Sequence, residues 1–242
     1  AYQTIISCKQ FRPPTSSCPA LNITPPSYSL TSEQDTVIKT ILEPSSQSTY
    51  YLHGITGSGK TEVYMQLATQ LLTQNKGVIF LVPEIALTPQ FTSILTQRFG
   101  DKVALLHSGL TPKQRDIAWA SIAAHHTPLV IGPRSAIFAP VQHLGLIILD
   151  EEHEPSYKQD NHPRYHTHSI CQFRQQQTQS LLVYGSATPS VDIYATCQNK
   201  TSHQRPITCL KLTERANKKP LPSVEIIDMK LERENGNKTQ FK

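Results

Sequence analysis

The stretch Gly54-Ile55-Thr56-Gly57-Ser58-Gly59-Lys60-Thr61 decides the fold. It follows the pattern G-x-x-x-x-G-K-[ST], whose glycines let backbone N–H groups turn inward on an anion. Before it, Tyr50-Tyr51-Leu52-His53 reads as a short strand. After it, residues 61–72 carry Val63, Leu67 and Leu71 on one helical face. The loop therefore joins a strand end to a helix start, and the positive end of the helix dipole backs the same anion. In that geometry Lys60 reaches the β- and γ-phosphates of a nucleotide, and the Thr61 hydroxyl ligates Mg²⁺. The alternative is a glycine turn before an ordinary helix. A chance match in a chain of this length has a frequency on the order of 1%, and the strand–loop–helix context lowers it further.

Outward from this loop, short apolar runs alternate with helical segments. Strands are expected at Tyr50–Leu52, Val78–Val82, Val103–Leu106, Leu129–Ile131, Leu146–Leu149 and Leu181–Tyr184. Helices are expected from Thr31-Ser32-Glu33-Gln34 through about Leu42, and over 61–74, 89–98, 112–124, 167–177 and 189–197. Such alternation builds an α/β fold with a mostly parallel sheet and helices on both faces. Ligands then bind at the carboxyl ends of the strands. Residues 1–29, rich in Pro, Ser and Thr, read as a linker or the tail of a preceding region. Residues 30–200 read as the nucleotide-binding lobe. The alternation is expected to stop near residue 200, which makes 201–242 a connector, with Val224–Ile227 as one more strand. Neither end reads as a natural terminus, so the chain is expected to be a fragment.

A second constellation stands about 90 residues after the loop. The apolar run Leu146–Leu149 ends in Asp150-Glu151-Glu152-His153. A carboxylate at such a strand tip holds Mg²⁺ in phosphate-loop enzymes. Asp150 suits that role, which leaves Glu151 to orient or deprotonate an attacking water. Alone, this would read as an acidic loop after a strand; behind a phosphate loop it points to hydrolysis of ATP. A third element, Gly185-Ser186-Ala187-Thr188-Pro189, also follows a strand. Its hydroxyls at Ser186 and Thr188 face the γ-phosphate side of the site, or else cap a helix with Pro189 at its first position.

Composition narrows the setting. The 242 residues carry a formal charge of +5, which permits nucleic acid without arguing for it. Five cysteines, widely spaced and without a C-x-x-C, indicate neither a zinc ribbon nor a disulfide framework and fit a reducing cytoplasm. His153, His162, His166 and His168 match no standard metal spacing. The longest apolar runs are strand-sized, too short to cross a membrane.

The three motifs, in this order, resemble superfamily-two helicases with their RecA-like lobes. More narrowly, residues 30–229 are similar to the PriA family of bacterial replication-restart helicases (primosomal protein N′). The likeness rests on GITGSGKTEVY (54–64), LVPEIALTPQ (81–90), HSGL (107–110), IGPRSAIF (131–138), DEEHEPSYKQ (150–159), RYH (164–166) and GSATP (185–189). Two positions depart from the pattern: Pro133 replaces the usual Thr, and residues 160–165 lack the usual Trp.

The resemblance implies the first motor lobe of an ATP-dependent DNA helicase that acts in primosome assembly and replication restart. ATP and Mg²⁺ are its cofactors, and zinc belongs to a cysteine-rich insertion beyond these residues. Its partners are forked, branched or single-stranded DNA, single-strand-binding protein and primosome proteins. Gln34 matches an adenine-reading glutamine, although Thr31-x-x-Gln34 is also a capping box. Pro83, Glu84, Gly132, Arg134 and Ser135 match segments that line the strand-binding groove; Arg134 suits a phosphate contact or a solvated surface. His153 would link hydrolysis to DNA, and Ser186 and Thr188 would couple lobe closure to hydrolysis. Tyr157, Lys158, Arg164 and Tyr165, between the strand tip and Gly185, would stack on bases and hold phosphates, or else form a plain surface loop. An arginine from the second lobe completes the site in such motors, so these residues alone are expected to bind ATP weakly, to hydrolyse it poorly and not to unwind DNA. The rival readings are a RecG-like or other translocase lobe, a nucleotide-gated DNA-binding module without hydrolysis, and a small-molecule kinase.

Overall fold

The computed structural model describes residues 29–43, 48–198 and 207–216. Seven strands form one sheet in the order β3-β4-β2-β5-β8-β1-β9. They are β1 (Thr49–Gly54), β2 (Gly77–Leu81), β3 (Val103–Leu105), β4 (Leu129–Gly132), β5 (Leu144–Asp150), β8 (Leu181–Ser186) and β9 (Thr208–Leu212). Every neighbouring pair in it runs parallel. A two-stranded antiparallel ribbon, β6 (Lys158–Gln159) with β7 (Tyr165–His166), stands apart.

Strand periodicity sorts the core into two layers. Tyr50, Leu52, Val78, Phe80, Leu146, Ile148 and Val183 point to one face. There they meet α1 (Ser32–Leu42), α2 (Lys60–Thr73) and α3 (Pro89–Phe99) through Ile41, Val63, Leu67 and Leu95. Their alternate neighbours Tyr51, Ile79, Leu81, Ile147, Leu149 and Leu182 point to the other face. That face is covered by α4 (Pro112–Ala123), α5 (Thr167–Thr178) and α6 (Val191–Gln198) through Ile122, Cys171 and Ile193. Burial on both faces is why the central strands read as unbroken apolar runs.

Local signals start the helices where the sequence predicts. Thr31, Thr88 and Thr111 each accept a backbone N–H as N-cap. Pro89 and Pro112 stand at first helical positions, where the missing N–H costs nothing.

Two expectations are corrected. The alternation does not stop near residue 200, because Thr208–Leu212 adds a seventh strand beside β1. Four of its five residues are only partly buried or exposed, so it lacks the apolar run that marks a central strand. The helix expected over 189–197 starts at Val191, so Pro189 lies before it rather than at its first position. The expected strand Val224–Ile227 and all but the last residue of the linker expected over 1–29 lie outside the described residues.

Candidate nucleotide-hydrolysis site

The phosphate loop sits at the carboxyl end of β1, between that strand and α2. Gly57 and Gly59 hold φ of 81° and 82°, a region that side chains resist and glycine tolerates. Helix α2 opens at Lys60 with no side chain capping it; the Glu62 and Val63 N–H groups bond the Gly59 carbonyl, which leaves those of Lys60 and Thr61 for a ligand. Lys60 folds back into the loop, and its Nζ donates to the Gly54 carbonyl at 2.9 Å. A Cβ on Gly54 would meet the Ser58 hydroxyl at 2.5 Å and Lys60 at 2.8 Å, so only glycine leaves this cradle open. Ser58 Oγ is buried and has no hydrogen-bond partner among the described residues. A cradle lined by a cation, N–H groups and a buried unsatisfied hydroxyl fits a phosphate chain.

Register brings the second constellation to the same edge. Asp150 ends β5 and pairs with Gly185 of β8, which itself neighbours β1. Its Oδ1 accepts from the buried Tyr64 hydroxyl of α2 at 3.2 Å, and its carbonyl accepts from Tyr157 Oη at 2.7 Å. Burial, then the charge of Glu151, pushes the Asp150 carboxyl up to about 6, against the pull of Lys60. A carboxylate held at this cost is a fit for a divalent cation, which would replace the lost hydration. Gly185 leaves room for this contact, because a Cβ there would stand 1.6 Å from the Tyr64 hydroxyl.

Glu151 adopts a left-handed φ of 45°, which turns the chain sharply after the strand. Its carboxylate lies 4.0 Å from Lys60 Nζ and accepts from Ser186 Oγ at 3.2 Å. The same Oγ lies 2.7 Å from His153 Nδ1 and accepts from the Thr188 N–H at 3.0 Å. The strand-tip acids and the Ser186–Thr188 turn are thus one hydrogen-bonded unit. The helix-capping alternative for Thr188 fails, because Ser190 precedes α6 and is itself held by Glu152, at 2.8 Å from its N–H and 3.0 Å from its hydroxyl.

The other sequence-predicted residues fall into two groups. Gln34 is buried and completes the Thr31 capping box, while its Nε2 donates to the Ser58 carbonyl at 2.9 Å. The cap alternative is therefore realised, and the same side chain ties α1 to the phosphate loop. Pro83, Glu84, Arg134, Ser135 and Tyr165 line one groove of about 590 Å³ with His107, Trp119 and Phe138. Within it Arg134 donates to the Ser156 carbonyl at 2.8 Å, and Tyr165 packs edge to face on Phe138. Lys158 and Arg164 are exposed on and beside the ribbon. Tyr157 is a correction: with 1% of its surface exposed it offers no face to a base, and it is a core residue beneath Asp150.

Sequence reasoning missed Tyr64, Glu152 and His53, whose Nε2 lies 3.1 Å from the Ala187 carbonyl. Each acts across strands, so no spacing along the chain announces it. Only Glu152, an unassigned acid inside an assigned motif, carried a signal.

Comparison with known proteins agrees with this geometry. Residues 31–196 match the DEAD/DEAH box helicase family. The chain is 42% identical over 215 residues to the replication restart protein PriA of Bacillus subtilis. It is 44% identical over 214 residues to that of Synechocystis. Each alignment covers 88% of this chain and 26% of the relative, so the chain spans about a quarter of their length. The helicase domain of Pyrococcus furiosus Hef shares the fold, with a TM-score of 0.51 at 21% identity over 74% of this chain and 37% of that one. By the extent of the family match, the chain belongs to the DEAD/DEAH box helicases.

Proposed function

We propose that the chain is the ATP-binding first motor lobe of a PriA-type DNA helicase, a cytoplasmic protein of primosome assembly and replication restart. The observation that carries this reading is the junction of Lys60, Glu151 and Ser186 beside the phosphate cradle. Residues 54–61 would hold the triphosphate, and Thr61 with Asp150 would hold Mg²⁺, which supplies charge neutralisation at the phosphates when bound. Glu151 would orient the attacking water and take its proton, with Ser186 and His153 fixing its carboxylate. Gln34 would reach adenine by exchanging its bond to Ser58 for the base. The groove at Pro83, Glu84, Arg134, Ser135 and Tyr165 would take a DNA strand, with Lys158 and Arg164 on its phosphates. His153, Ser186 and Thr188 would pass the state of that strand to the hydrolysis site, and Tyr157 would serve only as a packed support for Asp150. Forked DNA, single-strand-binding protein and primosome proteins are the partners expected of the longer protein, whose zinc lies outside these residues.

The second half of the site and its arginine, a group that can supply about 10³–10⁵ in rate, would come from a second lobe of the longer protein. The test is ATP turnover by the 242-residue chain and by a longer protein carrying the second lobe, with and without forked DNA. Slow turnover by the chain and DNA-stimulated turnover by the longer protein are expected. Turnover of the longer protein indifferent to DNA would favour a kinase or a gated binding module.

A further inference from the structure

The segment after β9 returns across the phosphate loop. Ile55 N–H donates to the Leu212 carbonyl at 3.3 Å, and Ala216 N–H donates to the Gly57 carbonyl at 3.0 Å. Between these two ties, the Thr213 N–H donates to the Glu33 carboxylate at 2.8 Å, joined by the Thr213 hydroxyl and, at 3.2 Å, the Glu214 N–H. The Thr213 hydroxyl bond holds the Glu33 carboxyl below its usual range. Residues 213–216 are therefore pinned at both ends, to the loop itself and to the first turn of α1.

This strap carries Arg215 onto the loop. A Cβ built on Gly57 would stand 3.2 Å from Arg215 Nε, 3.4 Å from a terminal guanidinium nitrogen and 3.7 Å from Cζ. The guanidinium thus stands beside the loop's central glycine, where a side chain at that position would meet it, while Lys60 lies against Gly54. Two cations and a set of inward N–H groups then share one loop. Positive groups gathered this closely make a strong field for an anion that enters between them. Guanidinium groups suit phosphate because their planar fork offers paired donors.

We infer that Arg215 is a phosphate-contacting residue of the nucleotide site, held over the phosphate loop by the 213–216 strap. The inference rests on the proposed nucleotide site and adds to it a contact from beyond the last strand. It also gives β9 a task, which is to deliver this arginine.

The experiment titrates Mg–ADP and magnesium pyrophosphate by calorimetry into the 242-residue chain and its Arg215→Gln, Arg215→Lys and Lys60→Ala variants. Arg215→Gln keeps a polar side chain with hydrogen-bond donors, and its unliganded melting temperature is expected to match wild type. Its affinity for both probes is expected to fall roughly 10-fold or more, as removal of a charge-assisted hydrogen bond implies. Arg215→Lys is expected to restore part of that affinity. Wild-type affinity in Arg215→Gln, while Lys60→Ala loses binding, overturns the assignment and leaves the nucleotide site standing. A loss for Mg–ADP but not for pyrophosphate overturns the phosphate contact in favour of the nucleoside. Binding indifferent to Lys60→Ala overturns the nucleotide site, and the Arg215 assignment with it.

Discussion

The carboxyl edge of the sheet has two unlike ends. Around Lys60 and Asp150 the polar groups are interlocked: Tyr64, Tyr157, Ser186, His153 and Glu152 each meet a partner on another strand or helix. Around Arg134 and the ribbon, charged groups hold backbone carbonyls or exposed partners. Arg164 Nε donates to the Asp160 carbonyl at 3.0 Å, and Lys158 meets the Asp160 carboxylate at 3.3 Å in solvent. A preorganised end does not reorganise when charge develops in it, which is what catalysis of phosphoryl transfer requires. An open end adapts to a flexible polymer and is screened by salt. The contrast divides the edge into an interlocked end, proposed as the hydrolysis half-site, and an open end, proposed as the strand groove.

The first way to break this contrast is Tyr157, which the contrast assigns to the interlocked end. Tyr157→Ala removes a fully buried ring and is expected to cost about 3–5 kcal/mol of folding stability in urea unfolding of the chain. Tyr157→Phe removes only the bond to the Asp150 carbonyl and is expected to cost about 1 kcal/mol. Wild-type stability in Tyr157→Ala, with weakened DNA binding, would move the residue to the open end.

Glu151 sharpens the contrast within the hydrolysis half. In a longer protein carrying the second lobe, Glu151→Gln is expected to slow DNA-stimulated turnover by about 10²-fold, with ATP affinity within a few-fold of wild type. Single-turnover hydrolysis separates the two. Normal turnover would mean that the strand tip is structural.

The motifs of this half are legible in the sequence because each lies within one loop or one strand end. The phosphate loop announces itself by glycines whose backbone angles other residues resist, and Asp150 by closing an apolar run. The links between them are not legible. Tyr64 meets Asp150 only because β5 and α2 pack together, and Ser186 meets Glu151 only through the register of β5 with β8. Strand β9 hides for a different reason: an edge strand is half-solvated, so its composition resembles a loop. Tyr157 escapes sequence reasoning because a tyrosine between polar residues (Ser156 and Lys158) looks the same whether its ring faces solvent or the core.

The Asp150 carboxyl allows a subtler test of the interlocked end. Folding raises it from 3.8 to about 6, chiefly by burial and then by the Glu151 charge. Between those values the folded state keeps a proton that the unfolded chain has released. Stability present below about pH 4 is therefore lost as pH rises through about 6. In metal-free buffer, wild type is expected to lose about 2–3 kcal/mol across that window relative to Asp150→Asn. Parallel stability curves for the two proteins would show that the carboxylate is well solvated, and that this end is less closed than its hydrogen bonds imply.

The smallest effect belongs to the open end. Lys158 and Asp160 form an exposed pair with 65% and 78% of their side chains in solvent. Such pairs contribute about 0–1 kcal/mol, so a phosphate can displace Asp160 at little cost. Arg164 spends one donor on a carbonyl and keeps its terminal nitrogens for an anion. Neither cation is built into a network, so neither variant disturbs the hydrolysis half-site. Arg164→Ala is expected to weaken binding of the chain to a single-stranded oligonucleotide by about 3- to 10-fold at low salt. It is also expected to lower the log–log salt slope by about 0.7, because one phosphate fewer is neutralised. Lys158→Ala is expected to do the same, and Mg–ADP affinity is expected to stay at the wild-type value in both. Fluorescence anisotropy at a series of salt concentrations reads the slope directly. A slope unchanged in both variants would make the ribbon a surface connection without a strand to hold, and would leave the groove beside Arg134 and Tyr165 as the whole of the open end.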